Sequence, residues 1–150
     1  MTRTRGFSLL EILLVLTLMA LIMGVAATSL SRNIGSAEIR SAGKAIAAGL
    51  RYTRSQAMVR KQPLTFNVDA NERTWQAAGR KTVKIPDGME LTLLTARSEL
   101  TGENAGNIRF FPDGSSSGGR VTISHGDYHW DIGIAWLTGK ISIDRAAEVR

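Results

Sequence analysis

The chain has 150 residues, 43% hydrophobic and 21% charged, which excludes disorder along most of its length. It has no cysteine, which excludes a disulfide framework, a thiol nucleophile and any cysteine-held zinc or iron–sulfur group. Its 19 basic and 13 acidic residues leave a formal charge of +6, a balance that suits nucleic acid, an anionic membrane surface or acidic protein partners.

In chain order, the first six residues carry only Arg3 and Arg5 as charges. From Phe7 to Leu30, 24 residues hold one ionisable group, Glu11. A helix rises ~1.5 Å per residue, so this stretch reaches roughly 36 Å, enough for a hydrocarbon core about 30 Å thick. It is apolar on every side, which predicts a membrane span rather than a surface helix. The two leading arginines favour a cytoplasmic N-terminus, and the basic residues beyond the span partly oppose that bias.

Residues 31–61 read as an amphipathic helix. Ile39, Ala42, Ile46, Leu50, Thr53 and Ala57 follow at steps of three or four, a narrow apolar stripe. The basic residues Arg40, Lys44, Arg51 and Arg54 fall mostly on other faces. Gly35, Gly43 and Gly49 each weaken a helix by about 1 kcal/mol relative to alanine. Their presence predicts close approach of another element to the backbone. No proline precedes Pro63, so one helix from Phe7 to Lys61 is predicted, ending at that proline.

After Pro63 the period shortens to two. Strands are predicted at Leu64–Val68, Thr74–Ala78, Thr82–Ile85, Met89–Leu94, Asn107–Phe111, Arg120–Ser124, Tyr128–Trp136 and Lys140–Ile143. Pro86-Asp87-Gly88 is a hairpin signal between the third and fourth. Residues 96–106 are polar and irregular, Pro112–Gly119 reads as a flexible connector, and Asp144–Arg150 as a frayed tail. Trp75, Trp130 and Trp136 are expected to fill the β core. The fold class is therefore α+β: a long N-terminal transmembrane helix, then a small antiparallel β domain over residues 62–150.

Glu11 is the one side chain in the span that calls for a partner. A carboxylate deep in a membrane costs about 2.5–3.5 kcal/mol on insertion scales. A cut between Gly6 and Phe7 would free an α-amino group four residues before it, on the same helix face. With a reference pKa of about 7.7–8.0, that amine is mostly protonated at neutral pH. It would neutralise Glu11 of its own chain, or of a neighbour in a bundle of such helices.

Gly6-Phe7-Ser8-Leu9-Leu10-Glu11 before a long apolar run resembles the class III signal of type IV pilins and type II secretion pseudopilins. The resemblance implies that a prepilin peptidase cuts after Gly6 and methylates the new N-terminus at Phe7. It implies that Glu11 sets register during filament assembly. Residues 1–6 are then a leader, 7–30 the membrane and assembly helix, and 31–61 its periplasmic continuation. Phe110-Phe111-Pro112-Asp113-Gly114-Ser115-Ser116-Ser117-Gly118-Gly119-Arg120-Val121, followed by Trp136-Leu137-Thr138-Gly139-Lys140, is similar to the H-type minor pseudopilins, the GspH family, which is shared with FimT-like minor pilins. The pilin-like fold is implied with it. So are the partners: other major and minor pseudopilins, a prepilin peptidase and methyltransferase, the inner-membrane secretion platform and membrane lipids. The implied location is the bacterial inner membrane, single-pass, with the head in the periplasm. The implied function is a structural subunit of the pseudopilus that helps export folded proteins across the outer membrane.

Other readings stand beside this one. Residues 1–30 also fit an ordinary secretory signal cut near Gly24-Val25-Ala26-Ala27, or an uncleaved anchor. Arg40, Lys44, Arg51 and Arg54 form a basic helix face suited to lipid, a protein partner or, in a FimT-like minor pilin, DNA during uptake. Only Tyr52 brings an aromatic ring into that run. His125 and His129 beside Asp127 lack a clear third ligand, so surface histidines at a turn are expected there. No phosphate-binding loop, dinucleotide fingerprint or nucleophile elbow occurs. No catalytic group, metal or cofactor is expected.

Overall fold

The structure, a computed structural model, describes residues 8–126 and 128–146, and the side chains of all of these except 25–36, 145 and 146. The chain divides into two compact units between Gly35 and Ser36. The helix α1, Leu9–Arg60, runs through that division.

In the first unit, α1 starts at a defined cap. The Ser8 hydroxyl accepts the Glu11 backbone N–H at 3.2 Å, and the Ser8 carbonyl accepts the N–H groups of Glu11 at 3.1 Å and Ile12 at 3.2 Å. Every described side chain from Ser8 to Gly24 is exposed. The Thr17 hydroxyl donates to the Leu13 carbonyl at 2.6 Å, so it is satisfied within the helix. Among the described residues no helix is long and apolar enough to cross a membrane. The predicted span extends beyond them: Phe7 and the side chains of 25–30 lie outside the described set.

In the second unit the predicted stripe is the buried side of α1. Ile39, Ile46, Leu50, Thr53 and Ala57 are buried and Ala42 half-buried. Two of the three helix glycines explain themselves here. A Cβ at Gly43 would collide with the indole of Trp130, and one at Gly49 would lie 2.6 Å from Cζ3 of Trp75. Gly35 lies among the side chains not described. Thr53, though polar, is fully satisfied. Its hydroxyl donates to the Gly49 carbonyl at 2.9 Å and accepts the Ala78 N–H at 3.2 Å. Lys61 takes a left-handed conformation (φ 53°), the Gln62 N–H returns to the Ala57 carbonyl at 3.3 Å, and Pro63 cannot continue the helix.

Among the described residues eight strands follow: β1 Leu64–Asp69, β2 Thr74–Gln76, β3 Val83–Lys84, β4 Glu90–Leu94, β5 Ala105–Phe110, β6 Gly119–His125, β7 Tyr128–Ile134 and β8 Ile141–Ala146. They form two antiparallel four-stranded sheets, ordered β3-β2-β1-β5 and β4-β6-β7-β8. The core takes Phe66, Val68, Ile108 and Phe110 from the first sheet. It takes Leu91, Val121, Ile123, Ile132 and Ile134 from the second, together with the stripe of α1. Phe66 and Trp75 stack with ring centroids 5.5 Å apart, over Gly49.

Four expectations change. Pro86-Asp87-Gly88 does not close a hairpin: β3 pairs with β2 and β4 with β6, so the chain passes there from one sheet to the other. Ile85 and Met89, on either side of the turn, are both buried, and a solvent-facing hairpin would expose them. The polar segment 96–106 contains a 3-10 turn, Arg97–Glu99, and its end starts β5. Pro112–Gly119 is built rather than loose: Ser116 bridges to Phe110, its N–H donates to the Trp136 carbonyl at 2.8 Å, and its hydroxyl to the Ala135 carbonyl at 3.1 Å. Asp144–Ala146, placed in a frayed tail, belong to β8.

Glu99, 7% exposed, is held by a two-pronged pair with Arg109: Nε to Oε1 at 2.8 Å and Nη2 to Oε2 at 3.2 Å. The hydrogen bond to Glu99 raises the Arg109 pKa above its ordinary value, against a smaller opposing effect of burial.

Gly43→Ala tests the helix–sheet contact. The added methyl meets the Trp130 ring, and such overpacking costs about 1–3 kcal/mol, more than the gain of roughly 1 kcal/mol in helix propensity. A lowered midpoint of thermal unfolding, followed by near-UV dichroism, is expected. Trp136→Ala, at an exposed site, is expected to change stability in the same assay by no more than roughly ±0.5 kcal/mol.

Candidate functional site

Two groups of residues carry the functional expectations, one in each unit. Gly6 and Phe7 lie outside the described residues, so the distance from the Phe7 amine to Glu11 is not part of the described geometry. Glu11 is described: it stands in the first turn of α1, exposed, three residues after the capping Ser8. Ser8-Leu9-Leu10-Glu11 therefore has the spacing of a capping box, of which the Ser8 half is formed. A carboxylate in the first turn is also favoured by the partial positive charge of the helix N-terminus. The Ser8-to-Glu11 spacing is the sequence signal for this local role, which stands beside the assembly role that the resemblance implies.

On the second unit, Arg40, Lys44 and Arg51 are exposed on α1, spaced four and seven residues apart on one face. Arg54 is different. It stands beside the buried stripe, half-buried, and its guanidinium is used within the fold. Nε donates to the Gly114 carbonyl at 2.9 Å and Nη2 to the Thr138 carbonyl at 2.9 Å. One side chain thus ties the β5–β6 loop and the β7–β8 loop to the helix. Gly139 permits this, because it has φ 59° and a Cβ there would strike the Gly114 carbonyl and Arg54. Arg54 thus serves the fold as well as lying on the basic side of the helix, whereas Arg40, Lys44 and Arg51 are exposed.

The loop that Arg54 holds carries a feature that residue type concealed. Trp136, expected in the core, is 68% exposed, and Leu137 beside it 66%. Trp130 and Trp75 do pack against the core. The Trp136 backbone is fixed by Ser116 and the loop closes through Gly139 N–H to Ala135 O at 2.8 Å, so an ordered turn presents two large apolar side chains to solvent. In the neighbouring turn, Ser115 donates to Asp113 Oδ1 from its hydroxyl at 2.6 Å and from its N–H at 2.9 Å. These bonds, the hydroxyl first, hold the Asp113 carboxyl below its ordinary pKa of 3.8.

The His125 ring is engaged by structure: Nδ1 lies 2.8 Å from the Gly88 carbonyl. His129 sits in β7 opposite Ser124 and Ala146, and Asp127 lies outside the described residues. Among the described residues no three His, Cys, Asp or Glu side chains gather as a metal would need.

Most of this architecture has counterparts in fold among solved structures. The minor pseudopilin EpsH from the Type 2 Secretion System of Vibrio cholerae superposes with a TM-score of 0.56 at 14% identity, over 74% of this chain and 99% of that one. The type IV minor pilin FimU of Pseudomonas aeruginosa gives a TM-score of 0.56 at 14% identity, over 75% and 93%. At such identity the likeness establishes the pilin-like fold and nothing finer. Sequence carries the rest. Residues 42–138 match the family model of the type II transport protein GspH, and residues 1–27 match the prokaryotic N-terminal methylation motif. The type II secretion system protein H of Xanthomonas campestris pv. campestris is 42% identical over 137 residues, covering 91% of this chain and 81% of that protein. The chain belongs to the GspH family of type II transport proteins.

Two outcomes test this geometry. Arg54→Ala leaves the Gly114 and Thr138 carbonyls without their donor, and a loss of about 1–3 kcal/mol is expected in thermal unfolding, with faster amide exchange at Gly139. Asp113 is expected to titrate below free aspartate in a carbon-detected NMR titration, and Ser115→Ala to return it toward 3.8. The sign follows from a depressed folded-state pKa: the turn's contribution is present above the ordinary value and is lost as pH falls through the folded one.

Proposed function

We propose that this chain is a minor pseudopilin, a structural subunit of a type II secretion pseudopilus that helps move folded proteins across the outer membrane. It enters the inner membrane as a precursor with its N-terminus in the cytoplasm and its β head in the periplasm. A prepilin peptidase removes residues 1–6 by cutting after Gly6 and methylates Phe7. Residues 7–30 then leave the bilayer for a bundle formed with other major and minor pseudopilins on the inner-membrane secretion platform. The observation that carries this reading is the pairing of Gly6-Phe7 and Glu11 at the head of an apolar run with a 42% identical secretion protein H that spans most of the chain.

The physical role of each part follows. Apolar packing along 7–30 supplies most of the association energy. Glu11 supplies register, since a carboxylate left unpaired inside such a bundle is strongly penalised, whereas one paired with the protonated Phe7 amine of a neighbour is not. Arg40, Lys44 and Arg51 face lipid headgroups before assembly, each contributing about 1 kcal/mol near an anionic surface, and acidic groups of neighbours afterwards.

Glu11→Ala tests the role. The variant is expected to insert and to be cut after Gly6 as the parent is, yet to be missing from sheared fibres and to depress secretion. Fibre incorporation and secretion at the parental level would refute it.

A further inference from the structure

Of the four margins of the two sheets, β8 ends at the limit of the described residues, and the other three are not equivalent. β3 is two residues long, and β5 is partly covered, by the bridge from Leu100 to Gly106 and by Ser117, whose N–H donates to the Arg109 carbonyl at 2.8 Å. β4 is a margin of the second sheet and pairs only with β6. Among the described residues no further backbone hydrogen bond involves Glu90–Leu94, so one row of its N–H and C=O groups is left without a protein partner. Natural proteins usually cover or blunt such an edge, and β4 carries neither proline nor an inward charge.

This edge opens into a groove of about 460 Å³ lined along four successive residues of β4, Glu90–Leu93. Its other wall comes from the β1–β2 turn and the segment 100–105. That wall is fixed: the Ala70 N–H donates to the Asn104 carbonyl at 2.9 Å, and the Asn104 side chain donates to Asn71 Oδ1 at 3.1 Å. Leu91 and Leu93 face inward while Glu90 and Thr92 are exposed. The groove's charge is acidic. Among the described residues Arg73 is its one cation and is bound to Asp87 at 3.2 Å, whereas Glu90 and Glu103 are exposed and have no cation within salt-bridge distance.

We propose that the β4 groove takes an extended segment of a neighbouring pseudopilin as an added strand, with apolar side chains over Leu91 and Leu93 alternating with basic side chains against Glu90 and Glu103. The open backbone row demands an extended chain, the period of two sets the alternation, and the two unpaired carboxylates set the sign. This rests on the pseudopilin reading above, which supplies the neighbour.

The test uses the full chain in detergent micelles and the blocked peptide Val-Lys-Val-Lys-Val. At ten times its dissociation constant the peptide is expected to slow amide exchange within Glu90–Leu94 about tenfold. The same peptide N-methylated at alternate backbone nitrogens is expected to lose binding, because it cannot complete the ladder. Glu90→Lys with Glu103→Lys, both at exposed positions, is expected to weaken the lysine peptide about fivefold and to improve Val-Glu-Val-Glu-Val. No slowing at Glu90–Leu94, or equal binding of the N-methylated peptide, overturns the assignment. If the chain is still cut after Gly6 and enters fibres, that failure falls on the groove alone; a chain that is neither cut nor assembled removes the pseudopilin reading instead.

Discussion

The buried stripe of α1 is the contact on which the head depends. Each sheet of the head has an apolar face to cover, and the side of the helix from Ile39 to Ala57 is packed against that apolar surface. Closeness matters as much as hydrophobicity. Gly43 and Gly49 remove the side chains that would hold the helix away, so the rings of Trp130 and Trp75 rest on its backbone. A fully buried large apolar side chain contributes roughly 1.5–3 kcal/mol, and the stripe supplies Ile46 and Leu50 at that level. Thr53 keeps its hydroxyl in the same interior only because both its donor and acceptor needs are met.

The N-terminal part of the same helix has no such stripe. From Ser8 to Gly24 every described side chain is exposed and nearly all are apolar, with Thr17 satisfied by its own backbone. A surface of that kind is covered by lipid or by other helices of its own sort. The proposed sequence of insertion and assembly supplies both coverings in succession. Glu11 then has two physical attachments. It sits at the positive end of a helix capped by Ser8, and in the proposed fibre it meets a freed amine.

Much of this was legible because it is local and periodic. The steps of three and four from Ile39 to Ala57 mark one side of a helix, and Gly43 and Gly49 among them signal close approach. The stop at Pro63 and most strand positions followed from similar rules. The errors have a common origin in distance along the chain. Pro86-Asp87-Gly88 is a sound turn, but whether its flanks pair is decided by where Ile85 and Met89 are buried. Arg54 looks like its basic neighbours until Gly114 and Thr138, 60 and 84 residues away, come within its reach. Trp136 shares its type with Trp130 and Trp75, and only the loop geometry turns it outward. The open edge of β4 is a matter of sheet order, which no pattern of alternation encodes.

The most direct measurement is the intact mass of the mature chain, combined with fragmentation of its N-terminus, on material taken from the membrane of a secreting cell. The expected result is a chain that begins at an N-methylated Phe7, four residues before Glu11 in the sequence. A chain that retains Met1, or one that begins near Thr28, would contradict the proposed processing and with it the pairing that gives Glu11 its role.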